Sequence, residues 1–380
     1  MNFAPTEDHT LLRDTVRAFC EEKVRPFARE WDRDESFPRE LVAELGELGV
    51  MGVTVPEALG GAGMDYQALA LVVEEIARQD GSLALTVASH NGLGTSHIRF
   101  FGGPELVERY VPDLAAGKKL AAWGLTEAGS GSDAAGLRTV AERRGDRWVI
   151  NGSKMWITQG SVGDVFVVLA STDASKKQKG ITAFVVERGT PGFSQNPIHG
   201  KLGMRSSDTA ELVFEDVEVP DSQRIGEVNQ GFIDTLKILD RGRITIGALS
   251  VGLARGALEE AISYAGEREA FGKPISSFQA LQFKLADMAT HTDAARLMVQ
   301  QAAWMCDQGM NFSKQASMAK LFASEIATQA ALEAIQIHGG YGYTAEFPVE
   351  RYLRDAKLCE IGEGTSEVQR LVIARLLLKA

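Results

Sequence analysis

Basic residues are in deficit. Lys and Arg number 40 against 51 Asp and Glu, a formal net charge of −11 over 380 residues. Nucleic-acid binders usually show the opposite balance, so DNA or RNA is not an expected partner. Cysteine is scarce. Cys20, Cys306 and Cys359 lie far apart, which argues against a disulfide framework and a zinc site, and no metal is expected. No apolar run approaches the roughly 18 residues of a membrane span, so no membrane insertion is expected. The opening Met1-Asn2-Phe3-Ala4-Pro5-Thr6-Glu7-Asp8 has neither a basic flank nor an apolar core, so no secretory signal is legible. A cytoplasmic, reducing-compartment protein is the expectation. Internal repeats, low-complexity tracts and long linkers are also missing.

What is present is an ordinary globular balance, with 44% apolar and 24% charged residues. The length allows two or three structural units. Residues 1–117 read as helical. Asp8 is placed to cap a helix carrying Leu11, Leu12, Val16 and Phe19. Pro38 opens a short helix with Leu41, Leu45 and Leu48, and further helical stretches fall near 65–79, 82–101 and from Pro104. Residues 118–230 change character. Short β-rich runs at 147–150, 165–169, 181–186 and 211–214, separated by turn residues and no helices, predict an antiparallel barrel or sandwich. Residues 231–380 return to helix. Leu281, Leu285, Met288, Thr292, Ala295, Val299 and Ala302 step by four and three, the seam of a helical bundle. The fold class is therefore α+β, mostly α, with the helices of both ends free to pack together and a groove beside the β unit.

Five segments carry groups suited to chemistry. Leu125–Asp133 follows an apolar run and mixes glycines with Thr126, Ser130 and Ser132, which suits an anion or a polar ring edge; a flexible turn is the plainer reading. Met155-Trp156-Ile157-Thr158 puts an aromatic and a hydroxyl on one face of a strand, a flank for a planar cofactor or a core Trp. Arg268–Pro274 is a helix end whose Arg268 either caps carbonyls or reaches a phosphate. Gln336-Ile337-His338-Gly339-Gly340 ends a helix in glycines. Ile361–Arg370 holds Glu363 between two glycines, with Thr365 as an N-cap. That carboxylate is either dipole-stabilised or a base on a tightly held loop.

Taken in this order and spacing, the five segments resemble the acyl-CoA dehydrogenase family, over nearly the whole chain. The resemblance implies an N-terminal α, middle β and C-terminal four-helix organisation, non-covalent FAD and a homotetramer built as a dimer of dimers. It implies α,β-dehydrogenation of a fatty acyl-CoA in β-oxidation, with an electron-transfer flavoprotein as acceptor. The family's base is the Glu of a Glu-Gly-Thr motif, here Glu363. The alternative base position of some relatives corresponds to Gly242, which cannot act as one. Gly242-Arg243 resembles the short-chain branch, and Gly362 replaces a common tyrosine, which would widen the acyl pocket.

By the same resemblance, Trp123, Leu125, Thr126 and Ser132 lie along the flavin and pyrophosphate. Trp156, Ile157 and Thr158 flank the isoalloxazine. Arg268, Phe271 and Gln279, with Gln336, Gly339 and Gly340, reach the FAD of a neighbouring subunit. Thr365 and Glu367 follow the base in the FAD segment. Ser132, Asp240, Arg243 and Gly364 face substrate, Arg243 meeting the CoA moiety or pairing with Asp240 or Glu363. Hydrogen bonds to the thioester carbonyl are assigned to the Glu363 N–H and an FAD hydroxyl. Lys201, Arg205 and Arg268 are the cations considered for offsetting the anionic ligands. Rival readings are a branched-chain or glutaryl-type dehydrogenase, an oxidase, and a DNA-associated relative; the net acidity and the plain tail 373–380 argue against the last.

Overall fold

Thr6, rather than Asp8, caps the first helix in the computed structural model, which describes residues 5–378. Its hydroxyl accepts from the His9 N–H at 3.2 Å, and the His9 ring accepts from the Thr6 N–H at 3.3 Å. Asp8 sits within the first turn, where its charge complements the helix dipole. Part of the opening segment read above for a signal, and the end of the tail, lie outside the described residues.

Seven helices lead the described chain: α1 (Glu7–Phe19), α2 (Ala28–Asp34), α3 (Arg39–Glu47), α4 (Tyr66–Ala77), α5 (Gly81–Ser89), α6 (Ser96–Phe101) and α7 (Pro104–Ala115). Asp65 and Asp80 cap α4 and α5 by accepting from Ala68 N at 2.8 Å and Leu83 N at 2.7 Å. The helix expected over 82–101 is interrupted by a π-helical turn, His90–Thr95. Its cause is tertiary. A Cβ at Gly94 would come within 2.6 Å of the Ala121 Cβ, so the widened turn is also the point where helix meets sheet.

The sheet comprises β1 (Ala121–Gly124), β2 (Val140–Arg144), β3 (Arg147–Thr158), β4 (Val165–Ser171), β5 (Ile181–Glu187), β6 (Phe193–Pro197), β7 (Thr209–Pro220) and β8 (Arg224–Ile225). Its order is β6-β7-β3-β2-β4-β5-β8, with β1 added parallel to β4. The long ladders are antiparallel, as the closely spaced runs predict. Side chains of β4 and β5 alternate between two cores. Val165, Val167 and Leu169 pack with α6 and α7, whereas Phe166, Val168 and Phe184 pack with Trp148, Phe193 and Phe214 of the facing strands. Burial on both faces explains why these strands read as continuous apolar runs.

A two-stranded ribbon, β9 (Glu269–Ala270) with β10 (Lys273–Pro274), follows the long α8 (Gly231–Glu267). Then come α9 (Gln279–Asp307), α10 (Ser313–His338), α11 (Val349–Ile361) and α12 (Ser366–Leu378). The predicted seam of α9 is buried from Met288 to Ala302, with Leu281 and Leu285 half-buried against the same core. That core runs from Val16 through α4 and α8 to Cys359, so the helices of both ends share one interior. No helix of the described residues is long and apolar enough to cross a membrane.

Candidate active site

The turn between α11 and α12 is left-handed at two successive residues, Glu363 (φ 52°) and Gly364 (φ 93°). A non-glycine residue in this region costs about 1 kcal/mol, so the turn needs support. It receives it through carbonyl oxygens. Gly364 O accepts from Lys320 Nζ of α10 at 2.7 Å and from Gln369 Nε2 of α12 at 2.9 Å. Gln369 Nε2 also reaches Glu363 O at 3.3 Å. Thr365 then caps α12, its hydroxyl accepting from Val368 N at 3.3 Å, as expected for an N-cap.

The turn aims the Glu363 side chain inward. The residue is half-buried as a whole, but Oε2 is shielded from solvent and has no hydrogen-bond partner among the described residues. It lies against α8 at Gly242, where a Cβ would stand 2.0 Å from Oε2 and 3.1 Å from Leu93 Cδ2. Gly242 therefore does not merely fail as a base; its missing side chain is the space the carboxylate occupies. Burial pushes the Glu363 pKa up to about 7, with the positive charges of Lys320 and Arg243 pulling the other way. A carboxylate with one oxygen shielded and its pKa raised toward neutrality can take a proton from a weak carbon acid.

Beside it, buried Arg243 donates to Asp240 and to Ser317 Oγ at 3.3 Å, while Asp240 accepts from Ser313 Oγ at 2.9 Å. Of the alternatives for Arg243, pairing with Asp240 is the one seen. Gly362, which ends α11, has ordinary surroundings: a Cβ there would be 3.4 Å from Leu358 O.

On the sheet, the 125–133 loop and the 155–158 strand meet through Met155 N donating to Thr126 O at 2.8 Å. The loop is anchored by Glu127. Its carboxylate accepts from Thr139 N (2.9 Å), Thr139 Oγ1 (2.7 Å) and buried Lys154 Nζ (2.7 Å). The 125–133 segment contains Glu127, but its role as the loop's anchor, and its pairing with Lys154, were not legible from the motif. Ser132 is exposed and Thr126 half-buried, while Gly129 and Gly131 have nothing within 4 Å of a Cβ. Trp156, with φ 64° at a break in the β3 register, is 60% exposed beside half-buried Thr158. An uncovered indole, a hydroxyl and an open glycine loop fit a flat ring with an anionic tail.

Three side chains expected along the cofactor turn elsewhere. Ile157 points to the opposite face and is buried in the sheet core, because side chains alternate along a strand. Leu125 is buried against α6 and α7, and Trp123 in the same core commits its Nε1–H to His97 Nδ1 at 2.9 Å.

A second group is carried by the bundle. Arg268, Phe271, Gln279, Gln336, Gly339 and Gly340 are all exposed, Phe271 to 95%. The Arg268 guanidinium lies 6.0 Å from the Tyr341 ring, while its backbone N–H caps α8 by donating to Tyr264 O at 2.8 Å. Glu367 is also exposed. Lys201 is not free to offset an anion: it is engaged with Ser207 O and with Thr209 Oγ1 at 2.9 Å, and its carbonyl accepts from Arg205 Nε at 3.0 Å.

The residue the motifs missed at the base is Lys320. Its signal was faint, one lysine inside an alanine-rich seam with Ala316, Ala319 and Ala323.

Three family profiles match the chain: the acyl-CoA dehydrogenase N-terminal domain over residues 6–118, the middle domain over 122–217 and the C-terminal domain over 229–378. The chain is 49% identical over 380 residues to the probable acyl-CoA dehydrogenase YngJ of Bacillus subtilis, covering 100% of both. Among solved structures it is similar to butyryl-CoA dehydrogenase from Megasphaera elsdenii, with a TM-score of 0.98, 41% identity and 100% of both chains covered. A chain in the structure described as the electron transferring flavoprotein of Acidaminococcus fermentans gives a TM-score of 0.99 at 43% identity, again over 100% of both chains.

Proposed function

Because this chain belongs to the acyl-CoA dehydrogenase family of FAD-dependent oxidoreductases, we propose that it oxidises the Cα–Cβ bond of a short, straight-chain acyl-CoA to the trans-2-enoyl-CoA, with Glu363 as the base. The observation that carries this reading is the Glu363 carboxylate, its Oε2 shielded, unpaired and seated in the Gly242 niche.

In this reading Glu363 removes the proton next to the thioester carbonyl. The turn's fixed backbone holds the carboxylate in place before substrate arrives, so little orientation remains to be lost in the reaction. The Glu363 N–H donates to the thioester oxygen, on which charge grows. FAD, when bound, supplies the acceptor for the hydride that leaves the β-carbon. Trp156 and Thr158 flank its ring, and Thr126 and Ser132 meet its polar edge and tail. The short-chain preference is supported by the likeness to the Megasphaera butyryl-CoA dehydrogenase. An electron-transfer flavoprotein as acceptor is supported by the Acidaminococcus structure. Assembly as a homotetramer, a cytoplasmic location and a role in β-oxidation complete the proposal.

The test is an anaerobic titration of the yellow protein with butyryl-, isobutyryl-, isovaleryl-, octanoyl- and palmitoyl-CoA, following bleaching of the flavin band. Butyryl-CoA should bleach the wild type fastest, and Glu363→Gln should slow that reaction by about 10³-fold. Fastest bleaching by a branched substrate would overturn the straight-chain assignment. A Glu363→Gln protein that bleaches at the wild-type rate would overturn the base.

A further inference from the structure

A lysine with no solvent exposure on an apolar helical seam is a costly choice, and Lys320 is one. Its helix face is otherwise alanine and serine: Ala316, Ser317, Ala319, Ala323 and Ser324 are buried around it. Among the described residues, the hydrogen bond of its ammonium is to Gly364 O, in the same turn that aims Glu363. Gln369 already holds that carbonyl from the other side, so tying the turn down does not by itself call for a charged group.

We propose that Lys320 is a positioning residue for Glu363: it clamps the left-handed turn through Gly364 O and supplies a buried positive charge to the carboxylate. The inference rests on the reading of Glu363 as the base. The other groups around the pair leave this role to Lys320. From α8, Arg243 faces both Lys320 and Glu363, but its guanidinium is engaged by Asp240 and Ser317. From α11, Glu360 is spoken for by Thr328 Oγ1 and, at 2.7 Å, by Lys357 Nζ. Cys359 is kept neutral, its thiol pushed up to about 12 by burial. From α12, Gln369 carries no charge. Glu363 is thus the acidic partner left facing the lysine.

Burial by itself pushes the carboxylate upward, toward staying protonated. The lysine's charge, together with that of Arg243, opposes the effect of burial on Glu363, while burial lowers Lys320 itself to about 8.

The experiment compares holoenzyme carrying Lys320→Gln, which is neutral, with Lys320→Arg, which keeps the charge. The rate of flavin reduction by butyryl-CoA is followed across pH. In parallel, without substrate, the infrared band of the protonated carboxylic acid that Glu363→Gln abolishes is titrated. In Lys320→Gln both midpoints should move up by about 1 pH unit, lowering the rate at pH 7 about fivefold and restoring it at high pH. Lys320→Arg should keep the wild-type midpoints. Unmoved midpoints in Lys320→Gln, or the same displacement in Lys320→Arg, would overturn the proposal. A Glu363→Gln protein that still reduces flavin would instead overturn the base reading, with the infrared titration still deciding whether Lys320 acts on Glu363.

Discussion

Glu363 carries a folding cost that its chemistry explains. Its carboxyl titrates near 7 in the folded chain against an ordinary value of 4.5. Between those values the folded state holds a proton that the unfolded chain has lost, so this group's contribution to stability falls as pH rises through that window. Glu363→Gln removes the charge without the shape. It should be more stable than wild type at pH 8, by about 1–3 kcal/mol, and level with it at pH 4. Calorimetric melts at the two pH values check this. Gly242→Ala tests the niche: the added methyl would stand 2.0 Å from Oε2, so the carboxylate must swing out of place. Flavin reduction should slow by about 10–100-fold with the circular dichroism unchanged. As a candidate base, Glu363 was legible because Glu-Gly-Thr is a local signature and because Gly242 leaves no competitor. Lys320 was not, since its function depends on a carbonyl 44 positions away that only the packed helices bring near. Ile157 and Trp123 show a limit of motif reading: a motif identifies a segment, but strand alternation and the core decide which of its side chains face outward.

Elements meet where side chains are missing. At the crossing of α4 and α8, a Cβ on Gly252 would lie 2.4 Å from Glu74 O and 2.6 Å from the Ala77 Cβ. Alanine favours helix over glycine by about 1 kcal/mol, but here the collision is with backbone, which cannot rotate away. Gly252→Ala should therefore destabilise the protein by about 1–3 kcal/mol in chemical denaturation, and a neutral or stabilising result would show that the helices can part. The α9 seam and the alternation of helical and β-rich stretches were readable because hydrophobic period reports an element's own buried face. The π-helical turn at 90–95 and the short α2 were not. The first answers to β1 pressing on Gly94, and the second has too few turns to show a period.

Across the whole molecule, the sheet-borne loop and the Glu363 turn account for part of the expected cofactor surface; the rest lies on the exposed ridge of Arg268, Phe271, Gln279 and the 336–340 segment. An aromatic ring 95% exposed in the single chain is unusual unless something covers it. If that cover is a neighbouring subunit's FAD, Phe271→Ala and Arg268→Ala should retain FAD about tenfold less well, with the secondary structure intact. The flavin-to-protein absorbance ratio after gel filtration, with sedimentation of the same samples, measures both.

The interior shared by the two ends also sets a schedule. The α4–α8 contact includes Arg78 with Glu259 at 2.9 Å and Arg255 with Glu75 at 2.7 Å, pairs separated by 181 and 180 residues. A ribosome adding about 5–20 residues each second reaches the end of α8 roughly 10–40 s after α4 has emerged. For that interval α4 lacks the partner that α8 supplies, while the strands made between them can already pair with one another. The helices made before the sheet thus wait longest for the last of their burial, and a newborn chain offers chaperones and proteases the side of α4 that α8 will cover.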